Sequence, residues 1–504
     1  MKNFHRRNFL KTAGTGLAVL AQWPRAASAA PLKSMLPVHH ISARRPTVLS
    51  GLFADWQGRI AAKHPLRHLE NPWGRKFWGI DLGDKDSLVW QVDGEEAGEY
   101  QLTLNGHGPL MLSCGDSRLT FSPRDDNRYP AIGSLTLPEG RTTIVAASAG
   151  DQAAASVWAI EAAIPAVARE QAKAARELRA DGAWMLDAKY GFFFHWTSDT
   201  PPPPGKPGRS YQERVAAFDV AAFAHSMKEM GAGWVVLTTS HGGYYLPFPS
   251  RAIDARKPGR TCRRDLVADL ARALGRYGIR LLLYYHQPSD RPEDKEFGWA
   301  PWWKHDKRAN WELWRTWMTE VGDRWGPLLA GYWFDDGGCF VYPYNPPFED
   351  LTRAAKTGYS GRMIAYNPWQ HPRVTDFQDY YAGELFRPPM RFFAPGGWYE
   401  GLLPFSLWCV DGPWGYTGDP GGIRPCTDAP AVVAACRSMA QERRANCMNL
   451  QIYQDGTFNP RTVETFQQVR QAIRGTGDGW WQTQKERFRA DVAKCGLELD
   501  GRLL

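Results

Sequence analysis

The sequence predicts an α/β chain, a (β/α) TIM-like barrel preceded by an N-terminal β-sandwich domain. Three observations lead there. Before about residue 165, apolar residues alternate with period two between Asp-Gly and Asn-Gly turns. After Lys189, near-continuous apolar runs alternate with helical patterns, the signature of a parallel sheet covered on both faces. Finally, His195, Thr239-Ser240-His241, Tyr285-His286 and Asp335-Asp336 all follow the apolar part of a strand. In a barrel those strand ends build the active site.

The chain has 504 residues, of which 43% are hydrophobic and 23% charged, enough for two packed units. Its first 29 residues read as a twin-arginine signal peptide: Arg6-Arg7-Asn8-Phe9-Leu10-Lys11, a short apolar run, then Ala27-Ser28-Ala29. The expected location is therefore periplasmic or secreted. The leader carries Lys2, Arg6, Arg7, Lys11 and Arg25 and no acid, and without it 56 basic residues face 53 acidic ones. The formal charge of +8 thus gives no reason to expect nucleic acid as a partner. The apolar run is too short for membrane insertion.

Residues 42–165 contain "SLVWQVDG", "GEYQLTLNG" and "GSLTLPEGRTTIVAA", short strands at sandwich spacing. Gly98 to Leu102 and Leu135 to Gly140 resemble pieces of carbohydrate-binding sandwich modules, and a purely structural sandwich is the alternative. Residues 166–188, rich in Ala, Glu, Arg and Lys, read as a connecting helix with no Pro/Gly linker. The barrel is expected over 189–480, with a C-terminal extension over 481–504. Its strands include "KYGFFFHW", "GWVVLTTSHGG", "IRLLLYYHQPSD", "AGYWFDDGG", "GRMIAYN", "FSLWCV" and "ANCMNLQIY". No Gly-rich nucleotide fingerprint accompanies them, which favours a barrel over a Rossmann sheet.

Eight cysteines form no C-x-x-C, and no Cys/His cluster has metal-ligand spacing, so neither a metal nor a cofactor is expected. Cys409 and Cys426 flank a Gly/Pro-rich loop and are the expected disulfide, if one forms.

The motifs after Lys189 resemble, in order, those of glycoside hydrolase family 29, the retaining α-L-fucosidases. Lys189 to Trp196 resembles K-F-G-x-F-x-H-W. "MKEMGAGWVVLTTSHGG" is similar to the segment ending K-H-H-D-G, and Phe248-Pro249-Ser250 to W-P-S. Arg264-Asp265-Leu266-Val267 matches R-D-L-V, and Tyr284-Tyr285 resembles Y-Y-S. Trp333-Phe334-Asp335 matches W-F-D-G, Asp379 to Glu384 resembles D-Y-x-T-P-E, and Trp414-Gly415-Tyr416 matches W-G-Y.

The resemblance implies an exo-acting retaining glycosidase acting on terminal α-L-fucosyl or related sugars of an oligosaccharide or glycoconjugate. Asp335 would be the nucleophile and Glu384 the acid/base, with Asp290, Glu293, Glu400 and Asp411 as rivals. Substrate contacts would come from His195, Trp196, His241, Tyr285, His286, Asp336, Arg373 and Trp414, with Trp408 as a further candidate floor. The segment Ser240-His241-Gly242-Gly243 lacks the pattern's Lys, second His and Asp, and His286 replaces its Ser. A non-catalytic sugar-binding relative, or a glycosidase for another sugar, therefore stays open.

Overall fold

A computed structural model describes residues 36, 38–51, 54–59, 68–70, 76–78, 80–122, 130–149, 155–241, 244–286, 308–335, 345–367, 374–384 and 387–495. The twin-arginine segment lies outside them, as do Cys339, Asp336 and Arg373.

The N-terminal part forms two sheets. One runs Val38–Ile41, Ser87–Gly94, Gly140–Ser148, Leu110–Cys114, Ser117–Phe121, with Asp55–Gln57 also on Ser87–Gly94. The other runs Ala131–Leu137, Gly98–His107, Ala155–Ala163, Thr47–Ser50, with Ile80–Leu82 also on Ala155–Ala163. The alternation read from "SLVWQVDG" is the burial alternation seen, with Leu88, Trp90 and Val92 inward. They meet Tyr100, Leu102, Leu104 and Ile160 of the other sheet in one apolar cluster.

The expected connecting helix is two helices, α1 (Pro165–Leu178) and α2 (Ala183–Asp187). Pro165 suits the first turn, where its missing N–H costs no helical bond. Residues 179–182 break the run, and their side chains and amides reach into the next unit, as described below.

That unit is built on a parallel sheet. Its strands are β1 (Tyr190–Phe194), β2 (Trp234–Ser240), β3 (Arg280–Tyr285), β4 (Leu329–Phe334), β5 (Met363–Tyr366), β6 (Phe405–Cys409) and β7 (Ala445–Asn449). Their spatial order is β5-β4-β3-β2-β1-β7-β6. This is the cyclic order of a barrel opened between β5 and β6. Backbone bonds from residues 379–384 span that opening. Asp379 N–H reaches Ile364 O at 2.7 Å on β5. Leu403 N–H donates to Asp379 O, Tyr381 N–H to Leu403 O, and Leu407 N–H to Gly383 O, at 3.0, 3.1 and 2.9 Å. Asp379-Tyr380-Tyr381-Ala382-Gly383-Glu384 is thus an irregular stave between two regular edges.

Side-chain parity divides the core in two. Phe193, Trp234, Val236, Leu282, Tyr284, Trp333, Ala365, Leu407 and Cys447 share the cluster enclosed by the sheet. The alternate residues, Phe192, Phe194, Val235, Leu237, Leu283, Tyr332 and Phe334, pack outward with Phe223, Leu270, Trp314, Trp317 and Phe466 of the surrounding helices. Burial on both faces explains the unbroken apolar runs, each large side chain adding about 1.5–3 kcal/mol. The boundary expected at residue 480/481 falls inside the helix Gly479–Lys494. That helix is fixed to β3 by the Arg280–Asp491 pair at 2.5 Å.

Candidate active site

Four expected site residues, His195, His241, His286 and Asp335, stand at the carboxyl ends of β1 to β4. The parallel ladder continues one residue past β3, β4 and β5. His286 N–H donates to Ser240 O at 3.2 Å, Asp335 N–H to Tyr285 O at 3.0 Å, and Asn367 N–H to Phe334 O at 2.8 Å. The side chains of His286, Asp335 and Asn367 therefore start from a paired backbone. His241 reaches the same face through an irregularity in β2, where Thr238 faces Tyr284 and Ser240 faces Tyr285. One inserted residue reverses the parity that Trp234 and Val236 set. The rings converge: His195–His241 at 5.8 Å, His241–His286 at 5.1 Å, His195–Trp414 at 5.6 Å.

The acidic centre is held by two residues that had no assigned role in the sequence reading. Tyr284 O–H donates to Asp335 Oδ2 at 2.5 Å. The Asn367 amide donates to Asp335 Oδ1 at 2.8 Å and to Glu384 Oε2 at 2.5 Å. One nitrogen bonded to both carboxyl groups keeps those oxygens within the roughly 5–5.5 Å span of a retaining pair. Glu384 comes from the irregular stave and is joined to Leu407 of β6.

His195 is neutral over most of the pH range. Burial pushes its imidazole down to about 4, against a smaller opposite effect from Asn449 and Asp335. Its tautomer follows from its neighbours. Asn449 Nδ2 donates to Trp414 O at 3.0 Å and Pro413 O at 3.4 Å, so its Oδ1 faces His195 Nδ1 at 3.4 Å. Two acceptors would repel, so Nδ1 carries the proton and Nε2 is left as an acceptor for a hydroxyl.

Three expected contacts lie elsewhere. Tyr285 is fully buried on the helix side, 4.8 Å from both Trp314 and Trp317, with its hydroxyl bonded to Tyr244. Its neighbour Tyr284 takes the inward position instead. Trp196 is likewise fully buried outside the sheet, packed on Tyr211 and Phe218, with its indole N–H on Gln454 O at 3.0 Å. The reason in both cases is period-two alternation: each follows or precedes the inward residue by one. Trp408 also packs on the helix side and donates to Asn446 Oδ1 at 2.8 Å.

Of the rival acids, Glu400 accepts Gly396 N–H at the surface, and Asp411 is buried against Gln451 N–H. Asp290, Glu293, Asp336 and Arg373 lie outside the described residues. The expected Cys409–Cys426 bond is absent; both thiols are free. Cys426 is buried in the helix-side cluster, whereas Cys409 ends β6, the strand beside Glu384.

Tyr284 and Asn449 were readable from strand parity, since each is two residues or a strand's length from an inward neighbour. Asn367 follows the short strand "MIAY", and its signal is its place just past that strand's end.

A parallel α/β sheet with paired carboxyl groups at its strand ends, ringed by histidines and a tryptophan, has the chemical make-up that glycoside hydrolysis requires. Residues 210–384 match the family model described as Alpha-L-fucosidase. Among solved structures, an α-L-fucosidase from Bacteroides thetaiotaomicron is 18% identical, over 58% of this chain and 73% of that one, with a TM-score of 0.40. A Thermotoga maritima α-L-fucosynthase is 16% identical over 58% and 74%, TM-score 0.42. A Lactobacillus casei α-L-fucosidase with α-L-fucose product is 15% identical over 57% and 96%, TM-score 0.40. No curated protein matches the chain.

Proposed function

We propose that the protein is an exo-acting retaining glycoside hydrolase that removes terminal α-L-fucosyl or closely related residues. The observation that carries this is the Asn367 amide bonded to both Asp335 and Glu384. Asp335, at the end of a buried strand, attacks the anomeric carbon as its bond to the leaving oxygen breaks. Glu384 delivers its proton to that oxygen. The same carboxylate then takes a proton from water, which displaces Asp335 from the glycosyl-enzyme. Tyr284 and Asn367 each occupy one oxygen of Asp335 and hold its orientation. His195, His241 and His286 bind hydroxyls, and Trp414 offers an apolar face. Asp336 and Arg373, expected from the sequence as substrate contacts, belong to the same proposal.

The fold reading proposed with it is a closed barrel behind a β-sandwich. It is supported by the backbone bonds of residues 379–384 to both free edges and by the single apolar cluster between the N-terminal sheets. Export through the twin-arginine route, with a periplasmic or secreted location, completes the proposal. No described helix is long and apolar enough to cross a membrane.

A different sugar is the second reading, and one observation favours it. Ser240, within the stretch that lacks the pattern's Lys and second His, spends its hydroxyl on His286 O at 2.8 Å. A panel of aryl α-glycosides, L-fucoside first, tests both readings. Turnover that Asp335→Asn abolishes, with a 2-fluoro glycosyl donor labelling Asp335, is the expected result. Binding of free sugar without turnover of any member would identify a non-catalytic relative.

A further inference from the structure

The stave that carries Glu384 is gripped at its other end by an unusual set of buried charges. Asp379, its first residue, is 2% exposed. Its Oδ1 accepts from Ala180 N–H at 2.6 Å and Lys356 Nζ at 3.1 Å. Its Oδ2 accepts from Ile364 N–H at 2.7 Å and Lys356 Nζ at 2.9 Å. Lys356 also donates to Arg362 O at 2.7 Å. Four donor contacts converge on two oxygens, an arrangement that only an ionised carboxylate satisfies. Burial disfavours the charge on both partners, and the mutual attraction opposes it. Breaking such a pair leaves one buried charge uncompensated.

Asp379 touches Ile364 twice, once through its backbone N–H and once through its carboxylate. Sliding the stave along β5 would break both contacts together. Ile364 lies on the strand that ends at Asn367, and Asp379 opens the stave that ends at Glu384. The register set at the first pair therefore fixes the spacing of the second. The connector after α1 reinforces it. Arg179 donates to the carbonyls of Asp376, Gln378 and Glu400 at 3.2, 3.3 and 3.4 Å.

We propose that Asp379, paired with Lys356 and bonded to Ala180 N–H, with Arg179 bracing the carbonyls that flank the stave, is the positioning device that aligns Glu384 with Asn367 and Asp335. The device acts on the stave and, through Ile364, on β5, while Asp335 keeps its separate bond to Tyr284, so its larger effect falls on the acid/base. It rests on the reading of Glu384 as acid/base, and its geometric part stands without it.

Asp379→Asn and Arg179→Met test it by two measurements. Crystal structures of both should show the Glu384 carboxyl displaced from Asn367 Nδ2 by more than a hydrogen bond's reach, with Asp335 still bonded to Tyr284. Kinetics should show the loss concentrated on substrates with poor leaving groups, by about 100-fold or more for Asp379→Asn, the lower end of what a placed general acid contributes. Activated aryl glycosides should lose less than about tenfold, and azide should recover part of that loss. If Asp379→Asn does not fold, Arg179→Met is read the same way with smaller effects. A folded variant that keeps the Glu384–Asn367 bond and loses all substrates equally overturns the proposal. If the unaltered enzyme turns over nothing, the function is misread, and the displacement of Glu384 still decides the positioning role.

Discussion

Tyr284 and Tyr285 are neighbours of identical chemistry with opposite duties. The first donates to the carboxylate of Asp335, and the second fills a pocket between Trp314 and Trp317. A hydrogen bond to a charged group is worth about 1.5–3 kcal/mol. Tyr284→Phe should therefore lower kcat/KM by about 10- to 100-fold while leaving the melting temperature nearly unchanged. Tyr285→Phe should do the reverse, costing stability through the lost bond to Tyr244 and sparing kcat/KM. Steady-state kinetics beside thermal melts separate them, and equal kinetic losses in both variants would refute the assignment. His195 belongs to the same scale. Its neutral ring, with the proton on Nδ1, presents Nε2 to a hydroxyl as a lone pair and brings no charge near Asp335.

Among elements, the loop after β6 shows how a pocket wall is fixed. Asp411 accepts from Gln451 N–H with both oxygens, at 3.0 and 3.2 Å. Gln451 Nε2 donates to Gly415 O at 2.9 Å, and Asn449 holds the carbonyl of Trp414. Burial pushes the Asp411 carboxyl from 3.8 up to about 8, against a smaller opposite effect of the backbone N–H bonds from Gln451 and Asp411. The folded value is raised, so the folded chain holds the proton more tightly than the unfolded one. The resulting stabilisation is complete below about pH 4 and disappears as pH rises through about 8. Asp411→Asn stays neutral throughout. Between pH 5.5 and 9 the melting temperature of the unaltered protein should fall by several degrees relative to this variant. Parallel melting curves would show that Asp411 is already ionised at the lower pH. The same elements show what was legible. The seven strands, and the histidines and Asp335 at their ends, follow from apolar runs that stop at polar residues. The stave 379–384 was legible only through its resemblance to a family motif, because backbone bonds to two edges build it, and no apolar run marks it. The misassigned Tyr285 and Trp196 come from treating each strand end as one point. Alternation makes adjacent residues face opposite sides of the sheet.

For the whole molecule, the N-terminal sheets and the parallel sheet are joined by more than a tether. Asn345 Oδ1 accepts from Val48 N–H at 2.6 Å, and Val48 itself packs on the helix-side cluster of the second unit. Gln171 of α1 donates to Glu349 at 3.1 Å. A fragment beginning near Ala166 should consequently expose apolar surface and accumulate as insoluble protein, scored by fractionation after expression. A soluble fragment with full activity would establish the N-terminal part as an independent appendage.

The backbone at Gly383 limits which residues that position accepts. Its φ is +66°, and a Cβ there would sit 2.4 Å from Phe405 O. The family motif that this stretch resembles has proline at that place, and proline is confined near −65°. Glu384 therefore leaves its stave by a turn of the opposite hand from any that a proline could make. Gly383→Pro would force this backbone out of its present turn and displace Glu384.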